Sequence, residues 1–553
     1  MNDLKIFSKH LVWANRQFES ATLKAKTEIK NGDLLSGIVW AQIAATIAWA
    51  RHPGFYVSME LESLLLDIAS KLDTKTSALP YRLNIRFKKS GDKTHILHVM
   101  THAYETGGHT RAVERWIRNT VHRDVHSLVT TNHQGVLPGW LTSAVMASGG
   151  QYCSLADFST NLLHRALLLR QVGREWADVI VLHVHPYDSL PMIAFGTDGG
   201  PPIILFNHAD HVFWLGASIA DLVADITLLG QHLSVTKRGI RNSKILPIPL
   251  LEPCLEPNRD TARRRLGIRN DMTVLLSIAE EARYLRFASY DFLGTIATIL
   301  QRNHRSMLIA VGPRHTGQWV KSSALASNRI RATGPRTDLG LFYACADIYL
   351  PSFPLGGLTA LLDAGLRGIP VLGLYFREAP KLCGADDPSL EGLLTHASTI
   401  EEYVTLIERM IDEPALRYQK GEILKERIRR IHVPPGWNIF LEGVLQSLPS
   451  EHKVGLPSTS PRIEISDIFQ AGVDPIIFPR QTLNNFLVAH TWNLPLVNRI
   501  SSSIDAVRIS GDWRLASKEH LLNAGLIVHG LLPHNPRLTN RAHFPAVLRR
   551  ILS

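Results

Sequence analysis

The run from Leu350-Pro351-Ser352-Phe353-Pro354-Leu355-Gly356-Gly357-Leu358-Thr359 through Asp363 to Gly368-Ile369-Pro370-Val371 carries the clearest chemistry in the sequence. An apolar strand enters a Pro/Gly loop, a helix follows that Gly368 can stop, and another buried strand comes after it. Gly356 and Gly357 have no side chains to hold an anion away from the main-chain N–H groups. A helix starting there points its positive end at that anion. Thr359 adds a hydroxyl in the first turn, and Asp363 falls one turn later on the same face, placed to accept hydrogen bonds from ribose hydroxyls. The run His98-Val99-Met100 through Gly107-Gly108-His109-Thr110-Arg111 repeats the arrangement, a strand leading into a glycine pair at a helix start. Arg283 and Arg286, just after the apolar run Thr273–Ile278, supply fixed guanidinium donors suited to a diphosphate leaving group, a role that needs no proton transfer.

Histidines form a third group. His183 and His185 alternate along one strand, so they share a face and suit a metal. With Asp210 and His211 they outline a metal-dependent hydrolase, although Asp188 is displaced from the spacing such a site uses. The other reading sets Asn207-His208-Ala209-Asp210-His211 at a strand end facing a cleft. There His208 would handle a proton or bind a sugar, with Asp210 and His211 supporting it.

These residues need a frame. Residues 1–92 read as helices, with Ala41, Ala44, Ala45, Ala48 and Trp49 marking an apolar face and a break at His52-Pro53-Gly54. From His95 the texture changes to short apolar runs alternating with helical patterns. Strands are expected at His95–Met100, Val125–Thr130, Val179–Val184, Ile203–Phe206 and Ile226–Leu229, with helices such as Arg111–Thr120 and Asn161–Val172 between them. The proline-rich Leu246-Pro247-Ile248-Pro249 reads as a hinge. The pattern restarts with strands at Thr273–Ile278, Met307–Val311, Ile330–Ala332, Asp347–Leu350 and Pro370–Leu374, and a helix over Phe287–Gln301. The fold class is therefore α/β: two Rossmann-like doubly wound domains, 93–250 and 251–450, behind a helical N-terminal region. Ligands of such sheets sit at the carboxyl ends of the strands. A Ser/Pro-rich stretch ending at Pro461 opens a C-terminal extension, 451–553, to which no chemistry is assigned.

The composition bounds the rest. At 553 residues the chain is roughly three to four times the ~150-residue domain prior, and its 45% hydrophobic and 20% charged residues exclude a disordered or collagen-like chain. The net charge of +11 favours anionic partners, yet no basic run has the density of a nucleic-acid arm. The densest cluster, Arg263-Arg264-Arg265, reads as a solvated helix face. Four scattered cysteines suggest a reducing compartment rather than a disulfide framework. Leu34 to Ala50 reads as a buried helix rather than a membrane span, and no signal peptide is visible, so a cytoplasmic location is expected. Peripheral contact with an acidic membrane stays open.

At the two glycine loops the chain resembles a GT-B glycosyltransferase over about 93 to 445. Gly107-Gly108 resembles the glycine loop of that class's first domain. Gly334-Pro335-Arg336-Thr337-Asp338 and Tyr343–Ser352 resemble the stretch before its donor site. Retaining enzymes of one large family carry two spaced glutamates, and here those positions hold Leu355 and Asp363. The surviving acid with Gly-Gly-x-Thr is similar to the donor site of O-GlcNAc transferases and bacterial cytoplasmic protein glucosyltransferases, in which a helical region also precedes the core. The resemblance implies transfer of a sugar, of hexosyltransferase type, from a nucleotide-diphosphate donor, UDP-type preferred, to a glycan or protein acceptor. It implies no metal and no cofactor beyond the nucleotide sugar, no nucleic acid partner, and inversion in preference to retention. The alternatives are the metal-dependent hydrolase and a glycosyltransferase-like binding protein without catalysis.

Overall fold

A computed structural model describes residues 2–73, 87, 89, 91–253, 256–375, 386–458 and 462–509. Residues 74–86, 88 and 90 of the expected helical region, Cys254, Cys383, part of the Ser/Pro-rich stretch and the tail beyond residue 509 lie outside the described residues. The chain up to Pro479 forms one compact unit, and Arg480–Ser553 forms a second. The extension drawn from 451 is therefore divided, its first part belonging to the larger unit.

The N-terminal region is three helices, α1 (Asn2–Lys30), α2 (Leu34–Ala50) and α3 (Met59–Asp73). Asp33 caps α2 by accepting from Ser36 N at 3.0 Å. Because α2 is apolar all round, it is enclosed by protein, with Ile38, Ile43 and Ala45 fully buried. Gly37 permits that closeness: a Cβ there would stand 2.4 Å from Ile29 of α1. No helix among the described residues is long and apolar enough to cross a membrane.

The first sheet contains β1 (Thr94–Met100), β2 (Asp124–Thr130), β3 (Tyr152–Ser154), β4 (Val179–His183), β5 (Ile203–Asn207), β6 (Leu222–Asp225) and β7 (Ser243–Ile245). Its order is β3-β2-β1-β4-β5-β6-β7, and every pairing is parallel. The helices α4 (Gly108–Thr120), α5 (Gly139–Ala147), α6 (Leu162–Trp176), α7 (Leu190–Phe195) and α8 (Leu228–Thr236) connect the strands. With helices on both faces, the central strands are buried at nearly every position, which is why they read as unbroken apolar runs. Met100 pairs with both Thr130 and His183, so β1, β2 and β4 end level.

The expected strand Ile226–Leu229 is a correction. The strand is β6, four residues earlier, and Thr227 accepts from Gly230 N at 2.8 Å to start α8. A short apolar run reads alike as a strand or as a helix's first turn.

In the second half, β8 (Thr273–Ile278), β9 (Ser306–Val311), β10 (Ile330–Ala332) and β11 (Ile348–Tyr349) form a parallel sheet in the order β10-β9-β8-β11. A parallel bridge from Tyr349 to Val371 carries it on to β12 (Leu372–Leu374) and β13 (Thr395–Ala397). Its helices are α9 (Arg259–Leu266), α10 (Phe292–Arg302), α11 (Gln318–Leu325), α12 (Leu339–Cys345), α13 (Leu358–Leu366), α14 (Ile400–Asp412), α15 (Pro414–His432) and α16 (Gly436–Gln446). Both sheets are thus wound alike, outward in both directions from a switch point, which lies between β1 and β4 in one and between β8 and β11 in the other.

Two expectations change here. Arg263 is fully buried rather than solvated: its guanidinium pairs with Asp347 at 2.6 Å and donates to the carbonyls of Asn270 and Met272 at 2.9 and 2.8 Å. Arg264 and Arg265 are exposed, as read. The proline hinge is held on both sides. Trp437 Nε1 donates to Pro247 O at 2.7 Å, and His432 Nδ1 to Ile248 O at 2.7 Å.

Beyond α16 the chain returns to the first sheet, where His452 joins Asp221 and the Phe195 carbonyl, each at 2.8 Å. Then α17 (Ile465–Ile477) packs on α1, with Gly472 beneath the ring of Phe7. The second unit contains α18 (Arg480–Thr491) and α19 (Leu496–Ile509).

Candidate active site

Both glycine loops lie at switch points. Gly107-Gly108 follows β1, and Gly356-Gly357 follows β11. Neither α4 nor α13 has a side-chain cap. Gly107 precedes α4 with φ 111°, a left-handed conformation open to glycine, and Gly357 precedes α13. Both helices therefore leave first-turn N–H groups for an outside acceptor. The two starts meet, since a Cβ on Gly108 would stand 2.5 Å from Thr359 Oγ1. Arg283 donates to the Gly356 carbonyl, which fixes it at this corner. Arg286 is exposed on the following turn.

Asp363 is placed differently from a bare ribose acceptor. Both of its oxygens receive hydrogen bonds from Nη2 of Arg115 on α4, at 3.1 and 3.0 Å, and Arg367 Nη1 stands 3.6 Å away. Arg367 is in turn gripped by Glu256 and lies 4.5 Å from the Tyr343 ring centroid. A chain of alternating charge, Glu256–Arg367–Asp363–Arg115, thus runs between the halves.

His208 stands one residue past β5, half-buried, with its ring centroid 4.0 Å from that of His109. Its Nδ1 lies 3.4 Å from Phe206 O, so the proton belongs on Nδ1 and Nε2 is left as an acceptor. Burial lowers its pKa to about 4, against smaller raising effects from the Phe206 carbonyl and Asp210. Asp210 does not brace the ring directly. Its hydrogen bonds go to His211 Nδ1 at 2.9 Å and to Thr227 at 2.6 Å, so it shapes the loop. Arg238 steadies the same loop by donating to the Asp210 and Val212 carbonyls.

The pair His183/His185 is not brought together as ligands. His183 is fully buried, and its Nε2 lies 3.0 Å from His98 Nδ1; His98 Nε2 lies 3.0 Å from His126, whose Nε2 meets Thr120 at 2.8 Å. His185 instead faces Tyr104, at 3.2 Å from its hydroxyl. Among the described residues no group of three or more His, Cys, Asp or Glu is arranged to hold a metal ion. The two free cysteines described, Cys153 and Cys345, are buried and apart from this edge.

This crowd of imidazoles sets the acid limit of the fold. Burial lowers the pKa of His98 and His185 to about 3 and of His102 to about 4, and takes those of His109, His126 and His183 well down. In the unfolded chain they would titrate near ~6.5. Between the two values the unfolded state binds more protons, so stability is full above about 6.5 and falls as pH drops toward the folded values. Glu62, Asp188, Asp225, Asp386 and His432, with raised pKa values, act in the opposite sense but are fewer. The melting temperature should therefore fall from pH 7 to pH 4. A flat profile over that range would show that these rings are not held neutral.

A cavity of about 570 Å³ is lined by Glu256 and Arg367 of the charge chain and by Tyr343, together with Asp347, Gly368 and Pro370. Asp347 precedes β11 and Pro370 precedes β12, so the cavity opens at the amino ends of the strands, opposite the glycine loops.

Sequence reasoning missed two residues of the corner. His109 directly follows the glycine pair, and its position there was the available signal. Its Nε2 donates to His183 O at 2.8 Å. Arg115 lies seven residues beyond Gly108, two turns along one helix face, but nothing in the sequence pairs it with a residue 248 positions away.

Two like-wound sheets present their switch points, and both glycine loops, to one another. The fold is GT-B. No family model matches the chain, and no curated protein matches it. Among solved structures, a glycosyltransferase from Rickettsia africae aligns with TM-score 0.48 at 13% identity, over 64% of this chain and 98% of its own. The O-GlcNAc transferase of Thermobaculum terrenum aligns with TM-score 0.44 at 15% identity, over 85% of each chain. An Anabaena protein crystallised with UDP and glucose aligns with TM-score 0.48 at 15% identity, over 64% of this chain and 99% of its own.

Proposed function

We propose that this GT-B chain is a glycosyltransferase taking a sugar from a nucleoside diphosphate, UDP-type preferred, and passing it to a glycan or protein hydroxyl. The observation that carries the reading is the meeting of two uncapped helix starts, Gly108 against Thr359. Two positive helix ends repel unless an anion lies between them, and their N–H groups need acceptors. A diphosphate supplies both. Gly356, Gly357, Thr359 and Arg283 hold it in this reading, with Arg286 at the rim and Gly107-Gly108 closing from the other side. These donors neutralise the leaving group without assigning a cation that task. Asp363 accepts from ribose. His208 faces the sugar or the attacking hydroxyl through Nε2, while Asp210 and His211 set the loop that carries it.

Titration calorimetry with UDP tests the reading. Binding is expected in the wild type, and Asp363→Ala should weaken it about ten- to hundred-fold, the scale of hydrogen bonds to a charged acceptor. Unchanged affinity in a folded variant would remove Asp363 from the site. Binding of UDP without hydrolysis or transfer of any UDP-sugar would favour the binding-protein alternative.

A further inference from the structure

We propose that Arg115, carried by the first half, contacts the bound nucleotide itself, so that ribose is read by an Arg115–Asp363 pair rather than by Asp363 alone. The inference rests on the nucleotide reading above. Nη2 of Arg115 is committed to Asp363, at 3.1 and 3.0 Å. Its Nη1 is buried and has no hydrogen-bond partner in the described structure. A guanidinium N–H shut away from water without an acceptor costs free energy that a ligand oxygen would restore. The side chain as a whole is only 14% exposed, so it is already ordered when a ligand arrives.

The position fits that use. Gly108 touches Thr359 at the diphosphate corner, and Arg115 lies two turns further along α4, level with Asp363 one turn into α13. Moving from the helix starts along the two helices therefore passes from the proposed diphosphate to the proposed ribose. A carboxylate has about four acceptor positions across its two oxygens, so contact with Arg115 leaves it able to accept from a vicinal diol. The pair then offers an acceptor and a donor together, which matches hydroxyls that both donate and accept. Because the donor belongs to one half and the acceptor to the other, nucleotide binding would draw on both.

The rival account is a latch, in which Arg115 only occupies Asp363 until nucleotide displaces it. The two accounts predict opposite signs. UDP affinity is measured by calorimetry for the wild type, Arg115→Ala, Asp363→Ala and the double variant, with circular dichroism confirming the fold. Direct contact predicts a loss of about ten- to hundred-fold in Arg115→Ala and a further loss when Arg115→Ala is added to Asp363→Ala. Equal or tighter binding in Arg115→Ala would establish the latch and overturn the proposal. No further loss in the double variant would show that Arg115 acts only by holding Asp363, which also overturns it. Should Arg115→Ala fail to fold, Arg115→Lys keeps the charge but loses the paired donor edge, and wild-type affinity in that variant counts against direct contact. If the wild type binds no UDP, the nucleotide reading fails and this proposal with it, a result distinct from wild-type binding that is indifferent to Arg115.

Discussion

His208→Ala should lower turnover of a UDP-sugar donor by about 10²–10⁴-fold, with donor affinity within about threefold of wild type. The ring sits at the carboxyl end of β5 with its centroid 4.0 Å from that of His109, and its Nδ1 is directed to a backbone carbonyl, which leaves Nε2 as the acceptor. With its pKa lowered to about 4, the imidazole is neutral across the physiological range and able to accept a proton. A base that weak gains strength once a diphosphate lies nearby, because an anion stabilises the imidazolium and raises its pKa. The acid limb of kcat/KM, which reports the free enzyme, should therefore fall near pH 4, and that of kcat should lie higher. Parallel loss of affinity and turnover would make His208 a sugar contact. Normal turnover in a stable variant would end the catalytic claim, and an acid limb lower for kcat than for kcat/KM would contradict an anion beside the ring.

The frame of this site was legible because its signals are local. Unbroken apolar runs mark strands covered on both faces, and β8 lies where such a run predicts it. Glycine pairs between a strand and a helix mark corners where the backbone must be approached closely, and both stand at switch points. The short strands β3, β7 and β13 are not marked by apolar runs, because each holds Ser, Lys, Thr or His among its three residues. The hinge prolines were visible, but the side chains holding them come from about 185 residues later in the chain.

The charged residues were the least legible. Arg263, Arg264 and Arg265 are indistinguishable as letters, yet Arg263 points inward because one helix face must pack and Asp347 waits there. The sequence presents Asp363 as a lone ribose acceptor, whereas in the fold Arg115 holds both its oxygens. In each case the deciding partner is far away in sequence. Local spacing names the acid or the base but not its mate, and the mate decides whether a charge is solvated, structural or open to a ligand.

The same reasoning gives His432 the largest effect on stability. It ends α15 with its side chain fully buried, Nε2 2.9 Å from Asp387 and Nδ1 donating to the Ile248 carbonyl of the hinge. Burial favours the neutral ring, but the charge and hydrogen bond of Asp387, with the Ile248 carbonyl, outweigh it and raise the pKa. His432→Ala leaves the Asp387 carboxylate buried without its counter-charge, and breaking such a pair costs about 3–5 kcal/mol. Guanidinium denaturation at pH 6 should show that deficit. The sign with pH is opposite to that of the histidines around β1 and β4. A raised folded pKa contributes stability that is full below the unfolded value of ~6.5 and is lost as pH rises through the folded one. The gap between wild type and variant should therefore narrow at pH 9. A gap that stays constant or widens there would mean that His432 is neutral in the fold, and that the hinge is held by hydrogen bonds without an ion pair.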